Sequence, residues 1–201
     1  MKKSIMIIFC SFSIVGLLKA QDLPLTKSKF GTSLGINILG LDNKLGNLAN
    51  NAGFYYERNL SNRTSIYSEL TGSMRNFRDV ALLQGLSGEF KVGNIGVFFG
   101  PMFHLGKNYN ISLGYGRNFL INPRFKTTNS VIDMKAETTN YSSLFFDFRK
   151  SINKELSLAI RYERGLNSIF HSTEKKVNNL SFNTILQLRG KSKQERNNPK
   201  K

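Results

Sequence analysis

The chain has 201 residues, with 29 Lys+Arg against 13 Asp+Glu (a formal charge of +16), 40% hydrophobic residues, no Trp and one Cys. That length accommodates one domain and a tail. The apolar fraction excludes wholesale disorder, a single Cys excludes a disulfide scaffold, and no run beyond the N-terminal segment reaches the roughly 18 apolar residues of a membrane helix. The basic balance raises a nucleic-acid reading, which the rest of the chain must carry or remove.

Residues 1–20 read as a secretory signal peptide. Lys2 and Lys3 open it, Ile5 to Leu18 is a mostly apolar run, and Ala20 precedes Gln21 and Asp22 as a small-residue cleavage site. Cys10 sits inside the apolar run, where it reads as an ordinary signal residue rather than a lipid-attachment site. Removal of Lys2, Lys3 and Lys19, with no acid lost, leaves +13 on a mature chain without cysteine. An exported protein has little access to cytosolic DNA or RNA, so nucleic acid is not an expected partner.

From Lys29 onward the dominant period is two, the signature of strands. Phe30, Thr32, Leu34, Ile36 and Ile38 alternate with Gly31, Ser33, Gly35 and Asn37. The pattern recurs over Ser65–Met74, Leu86–Val92, Ile95–His104, Ile111–Gly116, Leu156–Glu163 and Leu180–Arg189. Turn signals stand between runs at Asn59–Asn62, Gly93-Asn94, Gly106–Asn108, Asn122-Pro123 and Asn153-Lys154. Longer polar stretches occupy Leu39–Asn50, Asn76–Leu82 and Asn167–Lys176. Consecutive strands joined by short turns pair antiparallel, giving an all-β meander. Nine strands are clear and a weaker tenth lies within Arg124–Ile132. Residues 21–190 form the barrel, and 191–201 read as a basic disordered tail.

Alternation alone leaves open which face is dry. A soluble barrel buries the apolar face, whereas a membrane barrel turns it toward lipid around a polar lumen. The polar face here consists of Gly, Ser, Thr and Asn with isolated charges, which suits a narrow lumen better than a solvated surface. Several runs also reach the ten or so residues of a tilted membrane strand. Both features favour an antiparallel up-and-down transmembrane β-barrel. Tyr55, Tyr56, Tyr109, Phe119, Tyr141 and Tyr162 fall toward run ends, where an interfacial girdle would place them. Because such barrels carry even strand numbers, ten strands are expected, with eight as the alternative. Short connections then follow Leu60, Val92, Leu120 and Lys150 on one side.

With these features the chain resembles the small outer-membrane β-barrel proteins of Gram-negative envelopes, the porin-like outer-membrane barrel domain family. The similar pieces are IYSEL around Glu69, FFGPMF at Phe98–Phe103, ISLGYGRNF at Ile111–Phe119 and IRYERGLNSIF at Ile160–Phe170. The resemblance implies an outer-membrane location and folding by the barrel assembly machinery. The family includes structural proteins, pores, adhesins, secretion accessories and a few lipid-modifying enzymes. One departure is that barrels of this kind commonly end on an aromatic residue, whereas the last run here ends near Leu188-Arg189 and a tail follows.

Catalytic and metal chemistry find little support. His171, Ser172 and Glu174 could supply the base, nucleophile and acid of a membrane-surface acyl hydrolase, but all three are ordinary loop residues, so a catalytic role is not expected. With no mature Cys and no paired His spacing, neither metal nor cofactor is expected. His104 ends a strand on the small-residue face and reads as a lumenal or rim residue. The polar face carries Glu57, Glu69, Glu89, Asp147, Arg149, Arg161 and Glu163. Such a cluster either lines a selective pore or plugs the lumen with ion pairs, and the small bore of an eight- to ten-stranded barrel favours the plug.

The expected function is therefore a non-enzymatic outer-membrane barrel in a structural, adhesive or secretion-accessory role. The alternatives are the lipid hydrolase and a secreted soluble barrel binding an apolar ligand. The tail carries Lys191, Lys193, Arg196, Lys200 and Lys201 against Glu195, which leaves +9 on the barrel. Spread over loops and strand ends, that charge suits outer-membrane lipid headgroups or lipopolysaccharide phosphates.

Overall fold

The computed structural model describes residues 28–41, 44–81, 87–128, 130–172 and 174–188. The expected signal peptide at 1–20 and tail at 191–201 lie outside them. The strands are β1 (Ser28–Leu41), β2 (Lys44–Asn59), β3 (Thr64–Ala81), β4 (Ser87–Leu105), β5 (Tyr109–Lys126), β6 (Val131–Asp133), β7 (Tyr141–Ser151), β8 (Leu156–Gly165) and β9 (Val177–Leu188). All pairings are antiparallel between chain neighbours, except that β7 rather than β6 follows β5 around the wall. β9 returns to β1 from Phe30↔Leu188 to Leu41↔Val177 and closes the barrel. Eight staves result, and β6 is a short flap on the end of β5. Closure pairs the edges that an open sheet would leave exposed.

The eight-strand alternative is therefore the correct one, and the expected ten is corrected for a local reason. Gly93-Asn94 and Asn122-Pro123 lie inside β4 and β5 rather than between strands. The β4–β5 ladder passes from Lys91↔Arg124 to Gly93↔Ile121, so β5 holds one extra residue. Asn122 takes that strain with φ of 48°, in the left-handed region that Asn tolerates, and Pro123 has no N–H to lose. A turn-like dipeptide thus made a bulge in a continuous strand. Two similar register shifts occur at Leu39/Gly40 and at Phe77/Val80, at the same end of the barrel.

Ser28, where β1 begins, and Leu188, where β9 ends, share one end of the barrel with the tight turns at 60–63, 106–108 and 152–155. Short turns mark the periplasmic end of such barrels. The connections 127–140 and 166–176 occupy the opposite, outer end. There the wall is uneven, because β2 to β5 have 16, 18, 19 and 18 residues while β7 to β9 have 11, 10 and 12.

Alternation resolves with the apolar face outward. Phe30, Leu34 and Ile36 are more than half exposed, whereas Ser33 and Asn37 are 2% and 1% exposed. Leu70, Phe99, Leu113, Phe146, Ile160 and Phe182 continue the outer belt around the other staves. A soluble barrel would bury that belt. The aromatic girdle is corrected in part. Tyr109, Phe119 and Tyr162 face outward, but Tyr55 and Tyr141 are buried inside. Glycines facing inward make room for such rings. A Cβ on Gly31 would stand 2.1 Å from the Tyr55 ring, and one on Gly116 would stand 2.6 Å from Phe98.

Candidate functional site: a compensated lumen beneath an apolar cap

Period-two spacing delivers the lumenal side chains in pairs. Tyr67 and Glu69 of β3, Asp147 and Arg149 of β7, and Arg161 and Glu163 of β8 each lie two residues apart and point inward. Register then sets the contacts, with Asp147 directly opposite Arg161 and Tyr55 opposite Glu69. Arg161 is the hub. Its Nη2 donates to Glu69 Oε2 at 2.5 Å, to the Tyr67 hydroxyl at 2.7 Å and to Asp147 Oδ2 at 3.1 Å. Ser33 donates to Glu69 Oε1 at 2.6 Å, and the Tyr67 hydroxyl donates to Oε2.

The network extends toward both ends. Arg149 lies 3.7 Å from Asp147 and 3.9 Å from Glu57, and Lys29 closes the periplasmic rim at 2.8 Å from Glu57. His104 stands at the same rim, with Nε2 2.5 Å from Ser65 Oγ and Nδ1 2.6 Å from Asn110 Oδ1. On the outer side Arg75 lies 3.8 Å from Glu163 and donates to the Tyr141 hydroxyl. Asn118 and Asn179 donate to the two oxygens of Glu163 at 2.8 and 3.1 Å. The Arg161 guanidinium lies 5.0 Å from the centres of both Phe98 and Phe145, and Arg149 lies 5.3 and 5.1 Å from Tyr55 and Tyr67. Such cation–π contacts strengthen when water is excluded.

The charges balance. Glu57, Glu69, Asp147 and Glu163 face Arg75, Arg149 and Arg161, all at most 5% exposed, and Lys29 supplies the fourth cation. A cavity of about 10 Å³ remains between Arg75, Arg161, Glu163, Asn51 and Asn179, room for one water.

Above this layer the interior changes character. Leu39, Phe77, Phe90, Val92, Phe125, Met134, Ile169, Phe170 and Val177 form one buried apolar cluster at the outer end. Phe90 packs 6.1 Å from Phe77 and 5.0 Å from Phe170, centre to centre. The two outer connections are bonded across this cluster. Thr139 N donates to Ile169 O and His171 N to Glu137 O, both at 3.0 Å, and Thr138 bridges to Phe170.

Six of the seven charges read from the sequence meet in the lumen: Glu57, Glu69, Asp147, Arg149, Arg161 and Glu163. Glu89 does not. Phe90 and Val92 take the interior, so Glu89 faces outward, 3.0 Å from Lys91 and 2.5 Å from Asn76. Arg75 belongs to the network and was missed, although extending the parity of Ser65 to Ser73 by one step finds it. His171, Ser172 and Glu174 are all exposed, and among the described residues no hydrogen bond or ion pair joins them. No cluster of potential metal ligands occurs among the described residues.

No family model matches the sequence, and no curated protein does. Solved structures do. Ail, the attachment invasion locus protein of Yersinia pestis, solved with the heparin analogue sucrose octasulfate, superposes with a TM-score of 0.52 at 11% identity. The match covers 81% of this chain and 99% of Ail. Neisserial surface protein A gives 0.50 at 10% identity over 80% of this chain and 97% of its own. The fold is that of the small outer-membrane β-barrels. Ail has also been solved in a phospholipid bilayer nanodisc, and that structure gives 0.50 at 13% identity over 81% of this chain. At such identities the likeness is one of architecture. The side chains that fill this barrel have to be read from this chain alone.

Proposed function

We propose that the protein is a closed, non-conducting outer-membrane barrel that anchors an ordered platform at the cell surface and performs no catalysis. One observation carries this reading: the lumen is filled from rim to cap. Among the described residues four buried carboxylates meet four cations, the cavity beside Arg75 and Arg161 is water-sized, and an apolar cluster lies across the outer end. An ion entering would have to break compensated pairs in a low-dielectric interior and then cross a dry layer, both of which are costly.

The apolar belt supports membrane insertion, and two arches bonded across the cap support a platform of defined shape. A structural or adhesive role suits such an object, and one neighbour in fold, Ail, is an attachment protein by name. Its partners would be outer-membrane lipid and lipopolysaccharide around the wall, and the barrel assembly machinery during folding. Purified protein in planar bilayers is the direct test. The expected record is a flat baseline without steady single-channel current. Reproducible ion-selective steps would overturn the plugged reading.

A further inference from the structure

The outer wall is not uniformly smooth. A hollow of about 460 Å³ opens on the outward face of β1 to β4, bordered by Leu34, Ala52, Phe54, Leu70, Gly72 and Ile95. Register explains it. Leu34, Ala52, Gly72 and Ile95 form one row across four strands, with Leu34 opposite Ala52, Ala52 opposite Gly72 and Gly72 opposite Ile95. Two large side chains flank two small ones, and a Cβ on Gly72 would meet nothing within 4 Å. Phe54 and Leu70, directly opposed, form the periplasmic edge of the hollow. It offers an occupant apolar walls inside the belt that faces hydrocarbon.

A second feature lies on the same wall. Four residues toward the outer end, Asn76 and Lys91 form the row on β3 and β4 that corresponds to Gly72 and Ile95. That separation is about 13 Å along a strand. Lys91 stands directly opposite Arg124 on β5, a like-charge cross-strand pair that is unfavourable unless an anion sits between them. Arg78 and Lys126 extend the patch, and Glu89 and Asp133 leave it with a net positive charge. Glu89 engages Lys91, whereas Arg124 has no ion pair among the described residues. Between patch and hollow lie Gly93 and the flexible, 73% exposed Met74, opposite each other.

We infer that this wall binds one phosphate-bearing lipid of the outer leaflet, with its phosphate at Lys91 and Arg124 and an acyl chain lying in the hollow at Ala52 and Gly72. The spacing matches a lipid whose headgroup sits at the interface while its chain descends into the outer half of the bilayer. Neither feature alone would select it: the cations would take any anion and the hollow any chain. Together they require both on one molecule. The inference rests on the membrane-embedded reading above.

The chain has no Trp, so a single Val97→Trp reporter, outward on β4 beside the hollow but not among the residues that border it, gives a clean signal on the full-length mature protein. It is reconstituted in phosphatidylcholine vesicles holding a minor fraction of phosphatidylglycerol brominated on its acyl chains. Quenching should exceed the value set by mole fraction, since each cation at an anionic surface is worth about a fivefold preference. Lys91→Gln with Arg124→Gln should return it to the mole-fraction value. So should Ala52→Leu with Gly72→Leu, which fills the hollow from the lipid side. Loss in the cation pair alone would overturn the seated chain, and mole-fraction quenching in the parent would overturn the site. Contact between copies at Gly72, detected by cross-linking with no bromine effect, would assign the hollow to a second chain instead. Heat-modifiable migration checks that each variant is folded. A reporter untouched even by brominated phosphatidylcholine would count against membrane insertion itself, separately from this site.

Discussion

The two layers of the interior are built by the same rule and filled with opposite chemistry. In the middle of the barrel the inward positions carry Ser, Asn, Glu, Asp and Arg, set among the rings of Tyr55, Tyr67, Phe98 and Phe145. At the outer end the inward positions are Leu39, Phe77, Phe90, Phe125 and Val177. The switch follows the surroundings of the wall. Where the outside is hydrocarbon, the inward positions hold the polar groups and must satisfy each other. Toward the outer end, where the outward face turns polar at Asn76, Arg78, Glu89, Lys91 and Arg124, the inside reverts to an ordinary apolar core. Glu89 and Lys91 belong to that second regime, which is why they face out. One barrel therefore contains two folding problems, one solved by ion pairing and one by apolar burial.

That contrast predicts different failures. The largest effect is expected at Arg161. Arg161→Met leaves Glu69 and Asp147 without their shared partner, and an orphaned buried charge costs about 3–5 kcal/mol. The whole barrel should lose stability, read as a lower urea or heat midpoint for the folded-to-unfolded mobility shift. A second substitution, Glu69→Gln, should recover part of the loss, since residues in one network couple by about 0.5–3 kcal/mol. Additive losses would mean that the network does not act as a unit.

A smaller, local effect is expected from Phe90→Ala. A buried Phe lost to Ala costs about 3–5 kcal/mol in a core that cannot collapse, but the cap is peripheral and free to open by itself. Hydrogen exchange should speed up at Thr139 and His171, whose amide hydrogens bridge the outer connections. Amides in the β7–β8 ladder should remain protected. If the barrel midpoint fell as far as in Arg161→Met, the two layers would be one cooperative unit and the division drawn above would be wrong.

How much of this was readable in advance follows from the same contrast. Strand periodicity from Phe30 to Ile38 and from Leu180 to Leu188 is a local property, and it determined the class and which face is apolar. The lumenal cluster was legible because parity alone assigns Glu57, Glu69, Asp147, Arg149, Arg161 and Glu163 to one side. Strand number was not, because Gly93-Asn94 and Asn122-Pro123 satisfy the local rules of a turn, and only pairing with neighbours made them parts of longer strands. Glu89 was misplaced for a related reason. In Leu86–Val92 the apolar residues alternate as they do elsewhere, and nothing local says that this stretch stands above the membrane. Tyr141 carries the same ambiguity, an aromatic at a run end that serves the cap instead of the interface. Arg75 was hidden by a boundary drawn at Met74, one residue short.

The gentlest probe of the division is Glu89, the one acid of the expected cluster that sits outside the lumen. Its carboxylate accepts from Asn76 Nδ2 at 2.5 Å and from Lys91 at 3.0 Å, which holds its pKa below the ordinary carboxylate value, with Arg78 adding to the effect. Because the folded value is lowered, the interaction favours the native state above the unfolded pKa and is lost as pH falls through the folded one. A partly exposed ion pair on the outer surface of the wall contributes little to stability, so protonation of Glu89 in acid should leave the barrel midpoint almost unmoved. A carboxyl-carbon NMR titration should find Glu89 ionising below ordinary Glu, and Asn76→Ala should move it back upward, since the amide is the leading cause of the shift. Protonation also removes an anion from between Lys91 and Lys126. Binding of anionic lipid to that wall should therefore strengthen modestly in acid, at a pH where the barrel itself is unchanged. A barrel that melted together with the Glu89 titration would instead tie this residue to the interior from which its side chain is turned away.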